Sequence, residues 1–298
     1  MAYTTGEAAN HLDMLVRLRD YLVSNGWAQV GGQTGAVASG DFVSLSGPGL
    51  SGTDQILLTI EAFTNAPAGV FSLRMSGHTA YNPALPTVDP PGLNSPWVYA
   101  PLVNDLIRYW IVVNGRRFIL IAKVNNRYDV FYGGFILPEH LPSDWSYPFL
   151  IGGSANAYMQ SSVDTVNHRN FWSGYNSGYL FTPSQVWRAM NNYDGHESFV
   201  QSLSNALSSI DWRQGAGLTT YTRTLDGQPW ISRGRIAEFF DGDAGAPRNM
   251  LGHYDGVFYT PAAGAVIESL IEHDGKQYLV VPNVYRTSDL NVAAICLE

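Results

Sequence analysis

Residues 109–137 constrain the fold of this chain more than any other stretch: YWIVV-NG-RRFILIAKV-NN-RYDVFYGGFIL. Three segments rich in β-branched and aromatic residues alternate with two short turn signals, and that pattern specifies an antiparallel meander. Asn114-Gly115 is the pair best suited to the positive φ angles of a two-residue type I′ turn, and Asn125-Asn126 makes a second tight turn. Period-2 alternation puts Phe118, Leu120 and Ala122 on one face of the middle strand and Arg117, Ile119, Ile121 and Lys123 on the other. Arg116, Arg117, Lys123 and Arg127 read as strand-edge and surface charges that keep the hairpins in register. Gly133-Gly134 signals a bulge or a close backbone approach.

With 298 residues the chain can bury at least one substantial core and form one or two domains. Charged residues make up only 14%, well below the roughly 25% of ordinary soluble domains. Such a weakly charged, Gly-rich composition suits a β protein with neutral polar surfaces that tolerate contact with other subunits. The net charge of −8 argues against general nucleic-acid binding, which needs clustered Lys and Arg. No run of 18 apolar residues marks a membrane span, and the first residues lack the basic-then-apolar pattern of a secretory signal. Cys296 is the lone cysteine, so an intramolecular disulfide is excluded.

Upstream of the meander, Thr4-Thr5-Gly6-Glu7 has the form of a capping box opening a helix over 7–24, with Leu12, Leu15, Leu18 and Leu22 on its apolar stripe and Asn25-Gly26 as its stop. Two readings of that helix stay open, a plug on the β core or a docking element for a partner subunit. Residues 55–63 and 70–76 read as strands, and five prolines within 81–98 specify a stiff connection. Downstream, 149–151 reads as a short strand. A helical interlude is expected near 183–211, with Pro183 at a first helical position and Phe199, Leu203, Leu207 and Ile210 on one face. Strands return after it, with Asp226-Gly227 and Asp274-Gly275 as hairpin turns. The expected organisation is an N-terminal helix at 1–26, a β domain at 27–180, and a helical interlude plus C-terminal β part at 181–298. That last part is open to being a second β domain. The fold class is mainly β, a β-sandwich or antiparallel sheets.

The sequence presents no catalytic, cofactor-binding or metal-binding constellation. Its seven histidines are dispersed, and none forms a His-Glu-x-x-His pair. Asp241-Gly242-Asp243 is similar to the opening of a calcium loop, but no acidic residue closes the series at the needed spacing. There is no Gly-x-Ser-x-Gly elbow, and Cys296 in VAAICLE reads as a buried small hydrophobe. Paired carboxylates for sugar chemistry would have to come from Glu139, Asp144 or Asp164. The polar, aromatic stretch 154–177 reads either as an adaptable recognition surface or as loops packed on a sheet.

The meander also resembles a block found in virion proteins of tailed bacteriophages. There a W-V-x-N-x-R-R-hydrophobic-AKV hairpin leads into an aromatic-x-G-F-x-LP segment and then a YP-hydrophobic-GGS turn, matched here by WIVVNGRRFILIAKV, YGGFILP and SYPFLIGGS. DQILLTIEAF, FSLRMSGHTAYNP and the terminal KQYLVVPNVYRTSDLNVAAICLE look like the flanks of that group, so the resemblance covers two thirds of the chain. It implies a virion structural protein without enzymatic activity, in the tail or baseplate, or else in the neck, collar or capsid decoration. It also implies other virion proteins as partners, a homo-oligomer in a symmetric ring, and residence in the particle after synthesis in the host cytoplasm. A glycan-binding or glycan-degrading tail protein is the rival from another class. On the assembly reading the contact candidates are Trp145, Tyr147, Tyr158, Phe171, Trp172, Tyr175 and Tyr179.

Overall fold

The computed structural model describes residues 2–49, 55–80, 94–141, 143–158, 168–172, 177–190, 198–202, 231–240, 249–261, 265–285 and 291–298. In chain order its elements are β1 (Ala2–Ala8), α1 (His11–Ser24), β2 (Ala28–Gly32), β3 (Phe42–Gly47), β4 (Ile56–Asn65), β5 (Val70–His78) and β6 (Val98–Pro101). The meander supplies β7 (Ile107–Val113), β8 (Arg117–Val124) and β9 (Arg127–Phe135), followed by β10 (Leu137–Pro138), β11 (Phe149–Gly152), β12 (Gly178–Phe181) and β13 (Trp187–Ala189). The C-terminal strands are β14 (Ser198–Ser202), β15 (Ser232–Phe240), β16 (Asn249–Pro261), β17 (Leu270–His273), β18 (Lys276–Val281) and β19 (Asn291–Cys296). They form three antiparallel sheets, ordered β1-β7-β8-β9-β11-β12-β13, β2-β3-β4-β5-β6 and β14-β15-β16-β19-β18-β17, with β10 pairing β16.

The alternation read from β8 has a stronger consequence than a single sandwich. Phe118, Leu120 and Ala122 join a core with α1 and the inner face of β3–β6, whereas Ile119 and Ile121 join a second core with Leu251, Tyr254, Val257 and Ile295 of the C-terminal sheet. The meander is therefore the middle layer of three, buried on both faces. Such a strand needs a continuous apolar run, which is what 109–113 and 118–122 supply. Strand β12, which ends at Phe181, and β13 after it are neighbours in this same middle sheet.

Two glycines make the close packing workable. A Cβ on Gly133 would lie 2.6 Å from the Phe118 ring, and one on Gly134 (φ 147) would lie 2.3 Å from the Arg116 carbonyl oxygen. The close backbone approach expected at this pair is therefore present. The first turn of the meander differs from the expected type I′ form. Asn114 and Arg117 close the loop, and the Asn114 side chain accepts from the N–H groups of Arg116 (2.8 Å) and Arg117 (2.9 Å). An Asx-type bond replaces positive φ as the device that turns the chain. The turn of the C-terminal β17–β18 hairpin, Asp274-Gly275, does adopt positive φ at both residues (51° and 72°).

The N-terminus corrects the capping-box reading. Thr4, Thr5 and Glu7 belong to β1, which pairs with β7 in unbroken register from Ala2↔Val113 to Ala8↔Ile107. The helix starts at His11, because Asn10 is the better cap. Its side chain accepts from Leu12 N–H (2.9 Å) and Asp13 N–H (3.0 Å), while Asp13 reaches back to Ala9 N–H. Helix α1 buries Met14, Leu15, Leu18 and Leu22 in the first core, so the plug reading of its apolar stripe is the one realised.

The helical interlude is also corrected where it is described. Residues 182–186 form a tight turn leading into β13, and Ser198–Ser202 is a strand paired with β15. Partnering across a sheet overrides the 3.6-residue spacing there. The remainder of that expectation, along with the Asp226-Gly227 turn, the proline-rich 81–93 and Asp241–Asp243, lies outside the described residues.

Candidate interaction site

Two tight turns at one end of the middle sheet form a cleft. In the first, Asp144 N–H and Trp145 N–H donate to Leu141 O at 2.9 and 3.1 Å. In the second, Gln185 N–H donates to Thr182 O at 2.9 Å and Thr182 N–H to Val186 O at 3.0 Å, with Gln185 held at φ 60°. Trp145 ties the turns together by donating from Nε1 to Phe181 O at 3.1 Å. Between them lies a cleft of about 280 Å³ lined by residues that include Thr79, Asp144, Trp145, Tyr147, Phe181 and Gln185. Leu141 (67% exposed) and Val186 (39%) project from the two turns. Nothing in the sequence marks either as a contact residue.

The nominated aromatic residues divide. Trp145 and Tyr147 are brought together at the cleft. Tyr147 is half-buried edge-on to Phe135, and its hydroxyl lies 2.8 Å from Gln55 O and 3.2 Å from His78 O. Phe171 and Trp172 are instead fully packed in the second core, with Phe171 5.7 Å from the Tyr132 ring and 5.5 Å from Tyr254. Trp145 itself is only 3% exposed. As contact residues Trp145, Phe171 and Trp172 are thus corrected: a sheet buried on both faces needs large rings to fill it, and these are among them. Tyr158 is half-buried elsewhere, stacked on Phe63 at 3.9 Å, with Arg74 5.5 Å from its ring. Burial pushes the Tyr158 hydroxyl well above its usual pKa, against the pull of Arg74. Tyr179 is half-buried on β12, its hydroxyl raised likewise by burial. Tyr175 lies outside the described residues.

Of the carboxylates considered for sugar chemistry, Glu139 is engaged by His253 Nε2 at 2.9 Å, Asp144 sits at the cleft rim accepting from Ser143 Oγ at 3.0 Å, and Asp164 is outside the described residues. Burial lowers the His253 pKa, with Arg233 and Arg235 adding to it against the opposing pull of Glu139. Among the described residues, no group of three or more His, Cys, Asp or Glu is arranged to hold a metal ion. No helix there is long and apolar enough to cross a membrane. Cys296 is buried, as its setting suggested.

Several charges expected on the surface are inside. Arg117 is fully buried with its Nε 3.8 Å from Asp255, a carboxylate shared with Arg116 (3.1 Å) and Asn114 (3.2 Å). Arg127 is 4% exposed, donates to Asp129 at 2.7 Å, and hydrogen-bonds the carbonyl of Pro101. Asp129 also pairs with His168 Nε2 at 2.9 Å. Burial alone would raise the Asp129 pKa, but Arg127 and His168 hold it below the carboxylate range.

A second polar cluster sits at the sheet margin. Glu268 receives Lys123 Nζ, the Tyr128 hydroxyl and, at 3.1 Å, Arg108. It does so from φ 65°, at the third position of a turn closed by Ser269 N–H to Val266 O at 3.1 Å. Glycine is the usual residue for that geometry. Glu268 and its partners lie 140 or more residues apart in sequence, so no local pattern marks these pairs.

No protein-family model matches the chain, and no curated protein matches it either.

Proposed function

We propose that this chain is a structural subunit of a tailed-bacteriophage virion, in the tail or baseplate, acting by protein–protein assembly and not by catalysis. The observation that carries the reading is where the virion-like block falls. The residues resembling those proteins make up the middle strands β7–β9, the layer on which the other two sheets pack. A block so placed is the part a structural family would hold in common, while its margins adapt to neighbours. Leu141 and Val186, exposed on hydrogen-bonded turns beside a cleft, support contact with another virion protein. Neck, collar or capsid decoration is the alternative position in the particle, and a symmetric ring of copies is the expected arrangement.

Mass spectrometry and cryo-electron microscopy of purified particles test this. The chain should be present at a fixed copy number with its density in the tail or baseplate, and Leu141→Asp with Val186→Asp should block its incorporation. Its absence from the particles would refute the reading. One observation favours the glycan alternative: Asp144 and Tyr147 share the lining of the cleft. That alternative requires saccharide binding or turnover that is lost in Asp144→Ala.

A further inference from the structure

Sheet edges are a liability because their unpaired N–H and C=O groups template further strands, and proteins protect them with short length, bulges, Pro or charge. Most edges of this molecule carry such devices. β2 is five residues with a register shift between Gln29 and Gly31. β6 is four residues ending in Pro101, and β13 is three. β17 is four residues and carries Glu272 and His273, and β14, though uncharged, has five.

β1 stands apart. It is seven residues long (AYTTGEA), has no Pro, Lys or bulge, and carries a single charge, Glu7, near one end. Among the described residues no strand pairs with its outer edge. Tyr3 is 46% exposed, and Thr5 and Glu7 are also exposed. Their cross-strand partners Val112 and Trp110 are buried in the second core, so that core stops at β7 and leaves one face of β1 open.

The strand is also complementary to itself. Antiparallel pairing centred on Thr5 is the register in which all seven residues find a partner. It sets Thr5 against Thr5, Thr4 against Gly6, Tyr3 against Glu7 and Ala2 against Ala8 of the second strand. The only ionisable carboxylate then faces a tyrosine hydroxyl able to donate to it, and no like charges meet.

We infer that β1 is a homodimer interface: two copies join edge to edge through β1 about a two-fold axis at Thr5, fusing their middle sheets into one continuous sheet. The contact is isologous, so it closes at two copies and supplies a dimer as the unit from which any larger array is built. The inference rests on the edge itself and stands whether or not the chain belongs to a virion.

Light scattering on the full chain should give a mass twice that of one chain. Directly opposed residues of an antiparallel pair have Cα atoms about 4.5–5.5 Å apart, within disulfide range. Thr5→Cys should therefore cross-link under mild oxidation. Tyr3→Cys and Glu7→Cys should not do so singly, but the double variant should. The buried Cys296 is replaced by Ala throughout to remove background. Thr5→Lys should be monomeric with an unchanged circular dichroism spectrum, and mixing it with Thr5→Glu should restore the dimer. A monomer at every attainable concentration, a dimer that survives Thr5→Lys, or cross-linking of Tyr3→Cys alone would each overturn the interface. None of these results bears on whether the chain is found in particles.

Discussion

Glu268 occupies a position where its backbone and its side chain pull in opposite directions, and replacing it with Gly separates the two. Relief of the left-handed backbone should return about 1 kcal/mol. Against that, the Tyr128 hydrogen bond to a carboxylate contributes about 1.5–3 kcal/mol. The Lys123 and Arg108 pairs add about 0.5 kcal/mol each, because those side chains are 29% and 50% exposed and water screens them. Glycine adds a further cost of about 0.5–1 kcal/mol through the freedom it gives the unfolded chain. The side-chain terms win, and Glu268→Gly should destabilise by about 2–4 kcal/mol. Glu268→Ala, which keeps the strain and loses the clamp, should sit below Glu268→Gly. Urea unfolding at constant m-value measures both. Acid removes the same clamp. Burial opposes ionisation of Glu268, but the Lys123 and Tyr128 hydrogen bonds and the Lys123 and Arg108 charges hold its pKa below the usual carboxylate value. Its contribution is therefore present above the unfolded pKa and lost as pH falls through the folded one, and the gap between wild type and Glu268→Gln should close in that window. A Glu268→Gly variant more stable than wild type would refute the reasoning, since strain would then outweigh every contact the side chain makes.

Asp129→Ala strands the buried Arg127 and should cost about 3–5 kcal/mol, whereas Asp129→Leu combined with Arg127→Met should cost less than that single change. Denaturation of the two variants beside wild type is the check, and equal losses would deny the pairing. Burial lowers the His11 pKa from 6.5 to about 4, partly offset by a backbone hydrogen bond to Val103. Between those values the unfolded chain binds a proton the folded chain does not, so stability should fall as pH drops through the window, by at most about 3 kcal/mol at its lower end. His11→Gln should flatten that part of a stability–pH profile. Trp145→Ala should lose about 3–5 kcal/mol as a core truncation. Leu141→Asp, on the exposed turn, should change thermal stability by no more than about 0.5 kcal/mol.

What the sequence made legible follows from the range of the forces involved. The β7–β9 meander, β4, β5, β11 and the β17–β18 hairpin could be read because strand propensity, alternation and turn chemistry are local. The start of α1 was misplaced because two N-cap signals lie close together, and the choice between Thr4 and Asn10 was made by pairing of β1 with β7, about a hundred residues away. The turn at 182–186 and strand β14 were misread for the same reason. The cleft had partial signals in Trp145 and Tyr147. Its exposed rim, Leu141 and Val186, carried none, because exposure is a property of packing. Aromatic residues gave the most misleading cue. A chain that buries one sheet between two others needs rings such as Phe171 and Trp172 inside, and composition alone cannot tell that need from a sticky surface.

The arginines of the meander bear on how three layers hold one arrangement. Apolar faces favour contact but fix position weakly, since burying area is non-directional. Arg117 on β8 reaches Asp255 on β16, and a side chain at residue 256 would collide with it, a Cβ there lying 2.2 Å from its Nη2. On the other side, Arg127 on β9 bonds the carbonyl of Pro101 at the end of β6. Lys123 and Tyr128 meet Glu268 beside the C-terminal hairpin. Each outer layer is thus tied to the middle sheet by a polar contact that slipping by one residue would break, and at Arg117 the slip would take a fully buried charge away from Asp255. Buried ion pairs add little net stability compared with apolar replacements of similar volume. Their value here lies in the register between layers, and the same basic residues that look like surface charges in the sequence are what set it.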